Sequence, residues 1–251
     1  MQQRLIRLSK FLADSGVASR RKADSIVADG RVTVNNITIL TPFTKVNPHK
    51  DIVTVDNKTI PAPPQHKYIA LYKPQGYLSD LADPRNRRLA RDLLADQERL
   101  FPVGRLDFHS EGLMLFTNDG EFANLVMHPR HQVEKEYVVK LKGTPLPEDI
   151  GRALHGVLVD GVRYAFDDMR LIRSEQQSSW FRIIVHEGKN RMVRKIADVL
   201  GHPVIRLRRV RIGPVHLGRM RPGAHRPLTQ REVAYFRSHP QTAQNLRSTR
   251  S

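Results

Sequence analysis

Three prolines within four residues, Pro61, Pro63 and Pro64, limit how this chain can fold. Proline fixes φ and lacks an N–H donor, so neither a helix nor a central strand runs through residues 61–67, and the stretch reads as a stiff linker. The chain is expected to form a small domain over 1–60 and a larger one over 68–238. A polar segment, 239–251, is expected to be disordered. At 251 residues there is enough chain for a sizeable core.

In the small domain Leu8, Phe11 and Leu12 have helical spacing and Gly16 ends that segment. Ser19 can cap a second helix carrying Ala23, Ile26 and Val27, which Gly30 closes. R-V-T-V-N-N-I-T-I then alternates at period two about Asn35 and Asn36, the pattern of a hairpin. Lys10, Arg20, Arg21, Lys22 and Arg31 decorate these elements. Taken singly each is explained by a solvated surface; as a set, beside a helix amino end, they suit RNA phosphates.

Charge supports a polyanion partner. The chain carries 42 Lys and Arg against 25 Asp and Glu, net +17, with a pI near 10.7. The excess sits in the flanks, net +5 over residues 1–60 and +12 over 186–251, while the middle is neutral. Charge alone does not separate binding RNA from acting on it. There are no cysteines, which excludes disulfides, thiolate metal sites and cysteine nucleophiles. The amino terminus lacks an apolar signal core and no run approaches about 18 apolar residues, so a cytoplasmic protein with no membrane contact is expected.

The most informative stretch of the large domain is G-R-L-D-F-H-S-E-G-L-M-L-F-T-N-D-G, residues 104–120. It sets one carboxylate, Asp107, on a glycine-flanked turn ahead of a buried apolar strand, Leu113 to Phe116. From spacing alone, a solvated turn aspartate fits as well as a catalytic one. Asp119 can cap a helix through Phe122, Leu125 and Val126 that stops before Pro129. Tyr137 lies mid-strand in V-E-K-E-Y-V-V-K-L, where core packing is its simplest explanation.

Further on, G-V-L-V-D-G-V and D-D-M-R-L-I read as strands of the same sheet. Asn190 can cap a helix with Met192, Val193, Ile196, Ala197 and Leu200 on its apolar face, closed by Gly201. On that helix Arg194 has a plain alternative role, an exposed pair with Asp198 one turn on. From 204 to 215 apolar and basic residues alternate, so one strand face is expected to offer Arg206, Arg208, Arg209 or Arg211 to RNA.

These strings carry a resemblance. L-S-K-F-L-A-D-S-G-V-A-S-R-R-K-A followed by G-R-V-T-V-N resembles the S4 RNA-binding domain, and G-R-L-D…G-L…T-N-D-G resembles the signature of ribosomal RNA pseudouridine synthases. Lys73, Pro74 and Gly76, then Lys135 with Tyr137, then E-G-K-N-R-M-V-R at 187–194, fit that family's other motifs. The likeness runs from residue 4 to about 237. Asn86 and Lys189 depart from the family pattern, where glycine and arginine are usual.

The resemblance implies an α+β fold, a helix-helix-hairpin S4 domain followed by a mainly antiparallel mixed sheet with a cleft across it. It makes Asp107 the catalytic residue, Arg194 its partner and Tyr137 the ring packed on the target base. Arg105, Lys189, Arg191, Arg208 and Arg209 would join the five S4 residues in contacting ribosomal RNA. Arginine suits the partner role, since a nucleophilic carboxylate must stay ionised and oriented.

The implied reaction isomerises a uridine of ribosomal RNA to pseudouridine. It needs neither metal nor cofactor, and a monomer is expected. Large-subunit RNA fits the P-V-G-R-L-D and L-R-R-V-R-I-G-P strings better than small-subunit RNA. Attack at C1′ of the sugar and attack through C6 of the base both stay open. Two rivals stand: a non-catalytic S4-type assembly factor, and a hydrolase using Asp107 and Glu111 as a carboxylate pair.

Overall fold

The computed structural model describes residues 5–94 and 100–238, and the polar tail expected from 239 lies outside them. The chain divides into two compact units, Met1–His66 and Lys67–Ser251.

In the first unit, helices α1 (Leu8–Asp14) and α2 (Arg20–Ala28) bury Leu8, Phe11 and Leu12 against Ala23, Ile26 and Val27. Fully burying one Leu or Phe side chain contributes about 1.5–3 kcal/mol, so this cluster is a main term offsetting the conformational entropy of ordering two short helices. Ser19 caps α2 as expected, its hydroxyl accepting from the Lys22 N–H at 3.4 Å. Strands β1 (Val32–Val34) and β2 (Ile37–Ile39) flank Asn35 and Asn36, whose φ values of 50° and 69° make the predicted two-residue turn.

A second hairpin follows, β3 (Val53–Val55) and β4 (Lys58–Ile60), turning at Asp56 and Asn57 with φ of 47° and 65°. The four strands form one sheet in the order β2-β1-β3-β4. The sequence reading stopped at one hairpin, although the Asp56-Asn57 pair carries the same turn signal as the first.

The second unit is built on β5 (Tyr68–Lys73), β6 (Phe101–Val103), β7 (Glu111–Thr117), α3 (Gly120–Met127), β8 (Lys135–Lys142), α4 (Pro147–His155), β9 (Asp168–Glu175), β10 (Ser178–Val185), α5 (Met192–Val199), β11 (Val204–Ile212), β12 (Val215–His216), β13 (His225–Pro227) and α6 (Gln230–Ser238). Its sheet runs β9-β10-β8-β11-β7-β5-β13, with β6 beside β7 and β12 beside β11. Every pairing is antiparallel except β11 with β7, where Arg208 stands opposite Glu111 and Arg209 opposite Gly112. The mixed, mainly antiparallel α+β class is therefore as expected.

Alternation on β8 and β10 sends Tyr137, Val139, Leu141, Phe181, Ile183 and Val185 to one face. There they meet Ala153 of α4 and Val193, Ile196 and Ala197 of α5. On the other half of the sheet Ala70, Leu113 and Leu115 pack with Phe122, Ala123 and Val126 of α3 and Phe236 of α6. Asp119 caps α3, accepting from the N–H groups of Glu121 at 2.9 Å and Phe122 at 3.2 Å. Residues Val157–Val159 and Val162–Tyr164 correct one expectation: they pair only with each other, as a separate two-stranded ribbon, because the D-G turn at Asp160 and Gly161 closes them on themselves.

Candidate active site

Asp107 lies in the turn between β6 and β7, which is fastened on several sides. The Ser79 hydroxyl donates to the Leu106 carbonyl at 2.7 Å and accepts from the Leu106 N–H at 3.0 Å. Lys73, fully buried, donates its ammonium to the carbonyls of Pro74 and Ser110 at 3.0 and 2.8 Å. Arg209 is 3% exposed and donates from Nε to Leu113 O at 2.7 Å and from Nη1 to Arg105 O at 3.3 Å. The carbonyls on either side of Asp107 are thus held from three different strands or loops.

Gly112 makes this possible. A Cβ there would stand 2.2 Å from the Arg209 carbonyl oxygen, and its φ of +109° is one that other residues resist. Only glycine lets β7 and β11 approach closely enough to bring Arg209 under the loop. An isolated glycine in a strand pattern was the available signal.

Two guanidinium groups from the start of α5 meet the Asp107 carboxylate. Arg194 Nε is 3.6 Å from Oδ2, while its terminal nitrogens donate to Ser110 Oγ at 3.3 Å and to the carbonyls of His109 and Val204, both at 3.4 Å. Burial pulls the Arg194 pKa below its usual value, and Asp107 opposes that pull. The exposed pair with Asp198 is not what forms; the side chain is 12% exposed and turned to Asp107. Arg191 Nη1 donates to the same Oδ2 at 3.5 Å.

Arg191 also corrects the capping assignment. It occupies the position ahead of Met192, with φ 52° and ψ 25° and no side-chain cap bond, so Asn190 does not cap α5. A left-handed backbone at a non-glycine residue is uncommon, and this one aims the guanidinium at the carboxylate.

Asp107 opens into a cavity of about 730 Å³, within the range of small-molecule pockets. Tyr137, Arg105, Lys189, Arg191 and Arg209 all line it, together with Leu106, Lys135, Val185 and Leu207. Another hollow, beside His131 and His186, holds about 70 Å³, too little for a pyrimidine. Burial lowers the pKa of Lys135 to about 8, and that of Lys73 likewise to about 8, in both cases reinforced by Arg209. Arg209 Nη2 is buried and has no hydrogen-bond partner among the described residues.

Other predicted residues are placed differently. Arg208 is directed to the opposite side of β11 from Arg209, where it and Arg206 donate to Glu111 at 3.1 and 2.6 Å. Arg209 corrects the expectation of a surface phosphate contact, because alternation puts it on the inner face. Glu111 is buried outside the cavity lining and also accepts from the Tyr72 hydroxyl. Burial works against its charge, but the bonds from Arg206 and Arg208 prevail and hold the carboxyl below its usual range. That removes it as an acid paired with Asp107.

In the first unit Arg20, Arg21 and Lys22 are exposed on the first turn of α2. Lys10 pairs with Asp14 at 2.7 Å, and Arg31 grips Asp56 with two nitrogens, Nε at 2.9 Å.

The model of the RNA pseudouridylate synthase family matches residues 67–198, and that of the S4 domain matches 6–52. This chain belongs to the RNA pseudouridine synthase family. An uncharacterized RNA pseudouridine synthase of Aquifex aeolicus is 42% identical over 91% of the chain and 92% of its own length. The ribosomal large subunit pseudouridine synthase B of Bacillus subtilis is 36% identical over 92% of the chain and 96% of its own. A crystal structure of a pseudouridylate synthase superposes with a TM-score of 0.64 at 25% identity, covering 92% of this chain and 99% of that one.

Sequence reasoning missed the bond from Ser79 to Leu106 and the contact of Arg191 with Asp107. Ser79 is 27 residues from Leu106, and no local pattern announces such a bond. The fully buried ammonium of Lys73 ties the turns at Pro74 and Ser110 together.

Proposed function

We propose that the protein converts a uridine of large-subunit ribosomal RNA to pseudouridine, with Asp107 as nucleophile. The observation that carries this is the Asp107 carboxylate held by Arg191 and Arg194 at the wall of a cavity of about 730 Å³. The RNA target follows the name of the Bacillus subtilis relative.

The target nucleotide leaves its stack at a cost of a few kcal/mol, least for a loop nucleotide. The uracil packs against Tyr137 at the cavity wall. Arg105, Lys189 and Arg191 at the cavity supply phosphate contacts, as do Lys10, Arg20, Arg21, Lys22 and Arg31 of the S4 unit. With Asp107 attacking C1′, an Asp107–C1′ ester forms as the N1–C1′ bond breaks, the base turns, and C5 bonds to C1′ as the ester bond breaks and returns the free carboxylate. The C5 proton leaves and N1 gains one, so atoms balance with no cofactor. Tyr137 is the side chain we assign to carry the C5 proton away. Domain limits of 1–60, 61–67 and 68–238 complete the proposal.

Mapping pseudouridine in ribosomal RNA from cells with and without this protein tests the assignment. One large-subunit site is expected to disappear and to return with the native gene but not with Asp107→Asn. Turnover by purified Asp107→Asn would refute the nucleophile.

A further inference from the structure

We propose that the face of the main sheet directed away from the cavity is a second RNA-binding surface, one that takes single-stranded RNA through two transverse rows of cations and a stacking platform at Trp180. Side chains alternate across a sheet, so while Tyr137, Val185, Leu207 and Arg209 face inward, their neighbours on β8, β10 and β11 face out.

The register lines these neighbours up. Arg173 stands beside Trp180, Trp180 opposite Lys140, and Lys140 opposite Arg206, so one row crosses four strands. Two residues along, about 7 Å away, Arg170, Arg182, Val138 and Arg208 form the next row. Strands lie about 4.8 Å apart, so each row spans roughly 14 Å of surface.

These six cations share three carboxylates. Glu175 serves Lys140 at 2.8 Å and Arg173 at 3.1 Å, Asp168 serves Arg170 and Arg182, and Glu111 serves Arg206 and Arg208. Each acid is divided between two bases, which leaves the rows with positive charge in excess. An ordinary solvated salt-bridge face would approach neutrality.

Trp180 gives the surface its specificity for RNA over other polyanions. Its Nε1 donates to Glu175 at 3.0 Å, which fixes the ring's edge, while Lys140 and Arg173 lie over it at 5.6 and 5.3 Å from the centroid. Arg173 is 63% exposed. A base can displace that guanidinium from the ring and leave it free for the adjoining phosphate. Aromatic platforms with flanking cations accept single strands with little sequence preference, because every base has a π face.

The proposal goes beyond the catalytic reading but rests on RNA being the partner. Trp180 is the only tryptophan of the chain, so emission excited selectively at tryptophan, away from the tyrosine band, reports this face alone. Titrating the full-length protein with poly(U) is expected to quench that tryptophan emission. Arg170→Glu with Arg173→Glu, both on the exposed edge strand β9, should weaken the quenching titration about tenfold or more with an unchanged far-UV spectrum. Trp180→Phe should keep poly(U) affinity, followed by labelled-RNA anisotropy, better than Trp180→Ala.

Absence of quenching at saturating poly(U), whether or not RNA binds elsewhere, overturns the proposal and leaves the assignment of Asp107 intact. Equal or stronger quenching by poly-glutamate would assign the face to an acidic protein instead and overturn it as well. Failure of the Asp107→Asn experiment with quenching preserved would sink the catalytic reading alone.

Discussion

Arg191 reaches Asp107 Oδ2 from a left-handed backbone, while Arg194 reaches the same oxygen from one turn further along α5. The two guanidinium groups are not equivalent. Arg194 is 12% exposed and braced by Ser110, His109 and Val204; Arg191 is 48% exposed and lines the cavity. Orientation of the carboxylate rests on the first, and the second has more freedom to move.

Arg194→Lys keeps the charge but not the fork of contacts. Hydrogen bonds to charged groups contribute about 1.5–3 kcal/mol, so kcat is expected to fall by about one to two orders of magnitude while RNA affinity changes little. Single-turnover assays beside filter binding measure both. Equal loss in affinity would make Arg194 an RNA contact rather than a positioning residue.

Gly112→Ala and Gly104→Ala separate backbone strain from collision. Both glycines have positive φ, yet only Gly112 has a neighbour in the way, the Arg209 carbonyl. Gly104→Ala should cost about 1–2 kcal/mol, whereas Gly112→Ala should cost more, about 3 kcal/mol or above, because β7 and β11 must part. Urea unfolding midpoints distinguish them.

Ser79→Ala removes a hydroxyl that serves both backbone groups of buried Leu106. A destabilisation of about 1–3 kcal/mol is expected from the orphaned groups. Turnover should fall with no loss of RNA binding, since the residue that moves is next to Asp107. A wild-type kcat for Ser79→Ala would show that the loop is held well enough without it.

Lys135 predicts a dependence on pH. Its folded pKa is depressed to about 8 by burial, whereas in an unfolded chain it titrates near 10.4. Holding it charged therefore disfavours folding below about pH 8, and the penalty fades as pH rises from 8 towards 10.4, where the unfolded chain binds more protons. Relative to Lys135→Met, the native protein should gain about 2 kcal/mol between pH 7 and 9.5. Parallel urea titrations at the two pH values measure it, and a difference that does not move with pH would show that Lys135 has an ordinary pKa.

Much of this was legible in the sequence where chemistry is local. Ser19 and Asp119 cap their helices, Asn35-Asn36 turns its hairpin, and the G-R-L-D motif brings Asp107 to Arg194 across 87 positions of chain. What failed was non-local or strained. Arg191 adopts a conformation its residue type resists, so the helix start was placed on Asn190. The run Arg206 to Arg211 looked like one basic face, but alternation sends Arg209 inward, and a register shift against Glu136 and Tyr137 returns Arg211 outward. Val157–Tyr164 has strand composition without the partner that would join it to the sheet.

The parallel junction of β7 with β11 spans two residue pairs, and every strand on either side of it is antiparallel. The sheet is therefore two half-shells stitched at a short seam, and Asp107, Gly112 and Arg209 gather beside that seam. Flexing of one half against the other would change the shape of the cavity beside the seam and strain the cluster that joins Leu113 and Leu115 of β7 to Ile212 of β11, so amide exchange along β7 and β11 is where a bound nucleotide should first leave its imprint.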